Sequence, residues 1–335
     1  MNARTTSFGV LLGLGIGGVA APALAAPPAD ASPIWTFQVE NDAVSTLSGT
    51  SDQYYTSGLR LGYTSPTLAP SSGLARAGRT VWGDGVDRIS FDISQSIFTP
   101  RNTQINPPNP HDRPYAGYLR ASFSLLHDTD TTRGTLGVSA GIVGPWAGGY
   151  LVQNGFHSLI GDTPNKGWHH QLQDEPAFEM LGERIWRLPL AQPYGLEVDT
   201  LPSVTLGVGS VRDYVQTGLI LRVGQGLASD FGTPRIRPGM SGGDAYTPTR
   251  PFVWYVFGGV DGQAVARDEF LDGSAFRSNS PHVSKKTLVG ELEGGIGIIV
   301  YGLRVTYTQT WQTQEFKGQK SGLFNFGSLA VSARF

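Results

Sequence analysis

The sequence predicts an all-β protein. It is expected to be a transmembrane antiparallel β-barrel of about 12 strands, with a short helix in an outer loop. Three observations predict it. Runs that alternate apolar with polar or small residues recur from Ile34 to the C-terminus. No stretch beyond the N-terminal segment approaches the roughly 20 apolar residues of a spanning helix. The last run, Ser328 to Phe335, alternates and stops on an aromatic.

The N-terminus reads as a secretory signal. Arg4 supplies a basic flank, and Phe8 to Ala20 is an apolar, Gly-rich core too short to span a bilayer. Ala23-Leu24-Ala25 has the small-x-small form of a cleavage site, and Pro27 and Pro28 would crowd a later one. The expected organisation is a signal peptide over 1–25 and one barrel domain over 26–335. The chain has no cysteine, so no disulfide framework holds it. Only 16% of residues are charged, as expected where half of each strand faces lipid. A soluble sandwich would alternate too, so composition alone does not separate the two. The formal charge of −2 argues against a nucleic-acid partner.

Strands are expected at about 34–42, 54–65, 87–97, 116–127, 133–143, 175–187, 199–211, 213–226, 251–264, 288–299, 301–313 and 324–335. In the second run Tyr55, Leu59, Leu61 and Tyr63 share one face, opposite Thr56, Arg60 and Thr64. In the fourth, Leu119, Ala121, Phe123 and Leu125 oppose Arg120, Ser122 and Ser124. Closure into a cylinder satisfies every backbone donor and acceptor in lipid. With both termini in the periplasm, parity puts Glu40-Asn41-Asp42, Thr56 and the loops 98–115 and 144–174 at the outer side. Residues 66–86 and 227–250 become long periplasmic turns, which are normally short.

Within 144–174, Leu151 to Gly161 reads as a short helix. Val152, Phe156 and Leu159 form an apolar stripe expected to pack on the barrel wall, and Gln153 and His157 lie on a neighbouring face. His157 is the candidate general base or acid, because imidazole titrates near neutrality. Asp42, with Glu40 or Asn41, can offer oxygen ligands to a hard cation such as calcium. The same carboxylates can instead be lumen charges paired with arginines such as Arg60. Zinc is less favoured without cysteine. Thr56 can hydrogen-bond at the site or be an ordinary inward strand residue.

Several motifs occur in order: Glu40-Asn41-Asp42, Asp52-Gln53-Tyr54-Tyr55-Thr56-Ser57-Gly58, Asp112-Arg113-Pro114-Tyr115-Ala116-Gly117, Val152-Gln153-Asn154 with His157 to Asp162, and Gly167-Trp168 with Gln171-Leu172. The set resembles the lipid A 3′-O-deacylase family of Gram-negative outer membranes, over essentially the whole mature chain. The resemblance implies a twelve-stranded barrel with its active site between the outer wall and a loop helix. It implies calcium-dependent hydrolysis of the 3′-linked acyloxyacyl ester of lipid A, with lipopolysaccharide and the outer membrane as partners; the sequence leaves the oligomeric state open, with a monomer favoured. It matches Asn41 and Asp42 to the family's Asn-Asp pair, Thr56 to its strand threonine and His157 to its catalytic histidine. The family pattern has a glutamate six residues after that histidine. Here Thr163 holds the place and Asp162 is the substitute acid.

Two other readings explain part of the chain. A porin-like channel uses the barrel but leaves the histidine loop idle. A serine-type lipid esterase would use Ser57 or Ser158, though no triad spacing supports either.

Overall fold

The computed structural model describes residues 29–42, 52–236 and 244–335. The expected signal peptide lies outside the described residues. Thirteen strands form one sheet: β1 (Ile34–Asn41), β2 (Tyr54–Thr64), β3 (Val86–Thr99), β4 (Ala116–Asp128), β5 (Thr132–Val143), β6 (Glu175–Trp186), β7 (Leu188–Ala191), β8 (Glu197–Gly209), β9 (Arg212–Gln225), β10 (Phe252–Asp268), β11 (Leu288–Val300), β12 (Leu303–Gln312) and β13 (Phe324–Arg334). Short β7 continues β6 beyond Arg187 and shares its partner β8, so the wall has twelve staves. Every neighbouring pair is antiparallel, and β1 pairs with β13 from Ile34↔Arg334 to Asn41↔Gly327, which closes the cylinder. Each of the twelve staves overlies one predicted run.

Side chains alternate as a barrel in lipid requires. On β1, Trp35 and Phe37 face outward, while Thr36 and Gln38 are buried in the lumen. On β4, Leu119 and Phe123 face out and Arg120 faces in. Tyr55 departs from its predicted face. The β2–β3 register shifts between Tyr55 and Ser57. The resulting bulge turns Tyr55 inward, where its hydroxyl donates to Glu40 Oε2 at 2.8 Å.

The rim at Asn41, Tyr54 and Thr99 is here the upper one. Helix α2 (Gly149–Ile160) and the short α3 (Glu269–Asp272) lie beyond it. The predicted long turns at the lower rim are structured over their described residues, 66–85, 227–236 and 244–250. Residues 66–85 contain α1 (Gly73–Trp82), capped by the Ser72 hydroxyl, which accepts from Ala75 N at 3.2 Å. Its tryptophan, Trp82, stacks on His127 with ring centroids 5.4 Å apart. Beyond Gln225 the chain folds back inside the cylinder. Asp230 accepts from Arg222 Nη1 at 2.5 Å and from the Tyr255 hydroxyl at 2.8 Å. Gln38 Nε2 donates to Pro234 O at 3.1 Å, and Arg120 Nη2 to Ile236 O at 3.2 Å. Arg60 forks onto Asp244, with Nη1 to Oδ1 at 2.9 Å. A single segment thus bonds to staves on several sides of the lumen. Charges so deeply buried persist because they are paired and hydrogen-bonded.

Candidate functional site at the upper rim

The site is assembled where β2, β3 and the loop between β5 and β6 converge. Two left-handed glycines frame α2: Gly148 (φ 73°) opens it and Gly161 (φ 76°) closes it, with Gly161 N donating to His157 O. The helix lies close to the wall because small residues face each other. A Cβ on Gly149 would stand 3.1 Å from the Gly117 Cα and 2.7 Å from the Trp168 ring. The indole N–H of Trp168 donates to Gln153 Oε1 at 2.9 Å, and Gln95 Nε2 donates to Ala147 O at 2.6 Å. Asn154 and Asn165 exchange two hydrogen bonds of 3.0 and 2.8 Å, which tie the chain after the helix back onto it.

The helix sits the opposite way round from the sequence expectation. Gln153 and His157 form its buried face. The apolar stripe points away from the barrel, with Phe156 56% and Leu159 83% exposed, joined by Trp146 and Leu151. An apolar stripe is expected to face a core only if the surroundings are water. Beside a membrane barrel the surroundings include acyl chains, and an interfacial helix turns its apolar face to them.

His157 is held between two acceptors. Nδ1 lies 2.9 Å from the Thr163 carbonyl oxygen, and Nε2 lies 2.9 Å from Asp52 Oδ2. Asp52 Oδ2 also accepts from Asn165 Nδ2 at 2.7 Å. These groups line an open cleft of about 910 Å³, whose floor and walls include Tyr54, Arg101, Thr103, Asp162 and Asn165. Tyr54 enters β2 with φ 63°, a left-handed conformation that costs a non-glycine residue about 1–3 kcal/mol. Its hydroxyl, which accepts from Lys320 N at 3.1 Å, helps hold that conformation.

The sequence-predicted residues divide. Asp42 does not line the cleft; its Oδ2 accepts from Gln53 N at 3.1 Å, one residue from Asp52 in the chain. Asn41 ends β1 in register with Ser57 and Gly327. Thr56 sits in the bulge, buried, with its hydroxyl 2.8 Å from that of Thr99. Asp162 lines the cleft, but its carboxylate accepts from Thr163 N at 2.7 Å and makes no hydrogen bond to the imidazole. The acid on the imidazole is Asp52, to which the sequence reading assigned no role. Its position four residues before Thr56, inside the quoted Asp52-to-Gly58 motif, was the available signal. Glu40 does not join the cleft. Gln38 Nε2, the Tyr55 hydroxyl and Ile236 N all donate to its carboxylate within the lumen. Neither Ser57 nor Ser158 bonds His157. Arg113 is buried, its Nη1 donating to Glu315 Oε2 at 2.6 Å, whereas Arg101 lines the cleft.

The donor set around Asp42 suits a hard cation better than zinc. It offers the Asp42 carboxylate, with Asn41 next in the chain, and both nitrogens of His157 are already engaged. Among the described residues no three His, Asp or Glu side chains converge on one point. A cation there would complete its shell with backbone oxygens or water, as calcium commonly does.

A sequence model of the family "Outer membrane protein LpxR" matches residues 11–335. The chain belongs to this family. It is an outer-membrane β-barrel protein. Among solved structures, LpxR from Salmonella typhimurium superposes with a TM-score of 0.74 at 21% identity, covering 90% of this chain and 100% of that one. At that identity the likeness establishes the fold. The β domain of the Bordetella autotransporter BrkA covers 91% of this chain at 12% identity, with a TM-score of only 0.45. No curated protein matches the chain in sequence.

Proposed function

We propose that the protein is a lipid A deacylase that hydrolyses the 3′-linked acyloxyacyl ester at the outer leaflet. The observation that carries this is the His157–Asp52 pair, 2.9 Å apart in a cleft behind a helix whose apolar face looks outward. A soluble substrate gives no reason for that outward face. An amphiphile with its ester at headgroup depth and its chains in the bilayer does.

The tautomer follows from the hydrogen bonds. The Thr163 carbonyl can only accept, so Nδ1 carries a hydrogen and the lone pair of the neutral ring belongs to Nε2. Hydrogen bonds at both nitrogens at once require the protonated ring. As general base, His157 therefore works when its Nε2 faces a water rather than Asp52, and it returns to Asp52 once it has taken the proton. Asp52 accepts from the Nε2 hydrogen of that ring, and Asn165 fixes the carboxylate's direction. The proton then passes from Nε2 to the leaving alkoxide. Water is the nucleophile in this reading, since no serine touches the imidazole. Asp42, with Asn41 next in the chain, would hold calcium, which when bound supplies positive charge against the developing oxyanion. Arg101 offers the cleft a guanidinium for a lipid A phosphate.

Mass spectrometry of lipid A from cells with and without the protein tests the reading. The expected result is loss of one acyloxyacyl unit from the 3′ position, absent with His157→Ala. Unchanged lipid A, together with ion conductance in planar bilayers, would return the chain to the channel reading. Chelation should abolish hydrolysis and calcium should restore it. Activity indifferent to chelation removes the cation from the reading.

A further inference from the structure

A second cluster at the upper rim shares no residue with the His157 cleft. Glu175 opens β6, and Glu269 opens α3 directly after β10. Glu269 is fully buried, and no donor reaches either of its carboxylate oxygens. The Glu175 carboxylate stands against it, itself buried, with Oε1 likewise lacking a donor. The Ser274 hydroxyl contacts Glu175 Oε2. Nearby cations are engaged elsewhere. Arg267 donates to Ser210 O and Gly273 O, both at 3.2 Å, and Arg277 to Asp174 O at 2.9 Å. Lys285 pairs with Asp272 at 3.5 Å. No cation is bonded to either carboxylate, and Arg267 acts on Glu269 only through its field. An open cleft of about 700 Å³ leads to Glu175 and Ser274 from outside.

We propose that Glu175, Glu269 and the Ser274 hydroxyl bind a hard divalent cation, calcium or magnesium, at a site separate from the catalytic one. Up to four carboxylate oxygens and a hydroxyl are ligands of the type such ions take, and the cleft above supplies the water that completes the shell. Left alone, one of the two acids must keep a proton. Burial, and then the Glu175 carboxylate, push the Glu269 carboxyl up to about 9. A divalent ion relieves the same repulsion without that proton.

The position gives the ion a structural task. Glu175 is the first residue after the loop that carries α2 and His157, and Ser274 belongs to the loop between β10 and β11. The Arg277 to Asp174 hydrogen bond already joins these two loops, and the cation would staple them at a second point.

Binding of radiolabelled calcium to the detergent-purified mature protein tests the site, with magnesium as competitor. The dissociation constant is expected on the order of 0.1–1 mM, as in exposed extracellular calcium sites. Glu269→Gln should bind one ion fewer per chain than its parent, in both the wild-type and the Asp42→Asn backgrounds. Because binding is read without turnover, loss of hydrolysis in Asp42→Asn leaves this result standing. Equal stoichiometry with and without Glu269 overturns the proposal. So does a protonated-carboxyl infrared band that survives saturating calcium and disappears in Glu269→Gln. If Glu269→Gln loses heat-modifiable migration, Ser274→Ala replaces it. That variant should weaken binding several-fold, and unchanged affinity sinks the site.

Discussion

Glu40 and Asp42 stand two residues apart on the same strand end, yet the barrel uses them differently. Glu40 lies below the rim and is saturated by three donors, one of them the backbone of the segment folded into the lumen. Asp42 lies just past the end of β1 and meets the neck of the next loop at Gln53. Asp52, on the far side of that neck, has one face on His157 and the other open to a cleft. A carboxylate inside the lumen is fixed by partners that leave it no further chemistry. At the rim, Asp52 bonds His157 and Asn165 while facing an open cleft with room for water and substrate.

That contrast can be broken at several points. The largest effect is expected from His157→Ala, which should lower deacylation by about 10³-fold or more, near the top of the range for a lost general base. Lipid A mass spectrometry reads it, with heat-modifiable migration confirming an intact barrel. Asp52→Asn keeps the shape but replaces the charged acceptor on His157 Nε2 with a neutral amide. A fall in kcat of about 10²-fold, with KM nearly constant, is expected, since the loss falls on the transition state. Equal kcat in that variant would return the acidic role to another residue. Glu40→Gln should act on stability instead. It weakens three buried hydrogen bonds at a cost of about 1–3 kcal/mol, read by urea unfolding from lipid vesicles. If Glu40→Gln spared stability but changed the calcium requirement, the division between lumen and rim would fail. The smallest change belongs to Asp162→Asn, expected within about twofold of wild-type kcat, like an ordinary surface substitution.

The wall was legible because strand alternation is a local signal. Leu119, Arg120, Ala121 and Ser122 announce their faces without reference to the rest of the chain. The lumen segment carried no such signal. Arg60 and Asp244 are 184 residues apart, and no periodicity connects them. Within residues 66–85 Leu74, Ala77 and Val81 do recur at helical spacing, but α1 is only ten residues long and so short a period is easily passed over as a turn. Tyr55 was misplaced because a bulge cancels strict alternation. On α2 the period was read correctly and the direction wrongly, since a stripe alone does not say which solvent it will meet. His157 stood out by residue type and motif. Its partner Asp52 did not, because their meeting depends on two loops crossing above the rim.

A hollow tube of twelve staves is easily flattened into an ellipse, since hydrogen bonds along its wall resist stretching far better than bending. The chain between β9 and β10 works here like the spokes of a wheel. Through Gln38, Glu40 and Arg60 it grips the first two staves, through Arg120 the fourth, and through Arg235 with Asp261 and Glu293 the opposite arc. The staves bearing Asp42 and Asp52 are therefore held at a set span from the arc above which α2 hangs. Roundness of the cross-section is in this way handed from the interior to the reacting groups, whatever the lateral pressure of the surrounding lipid.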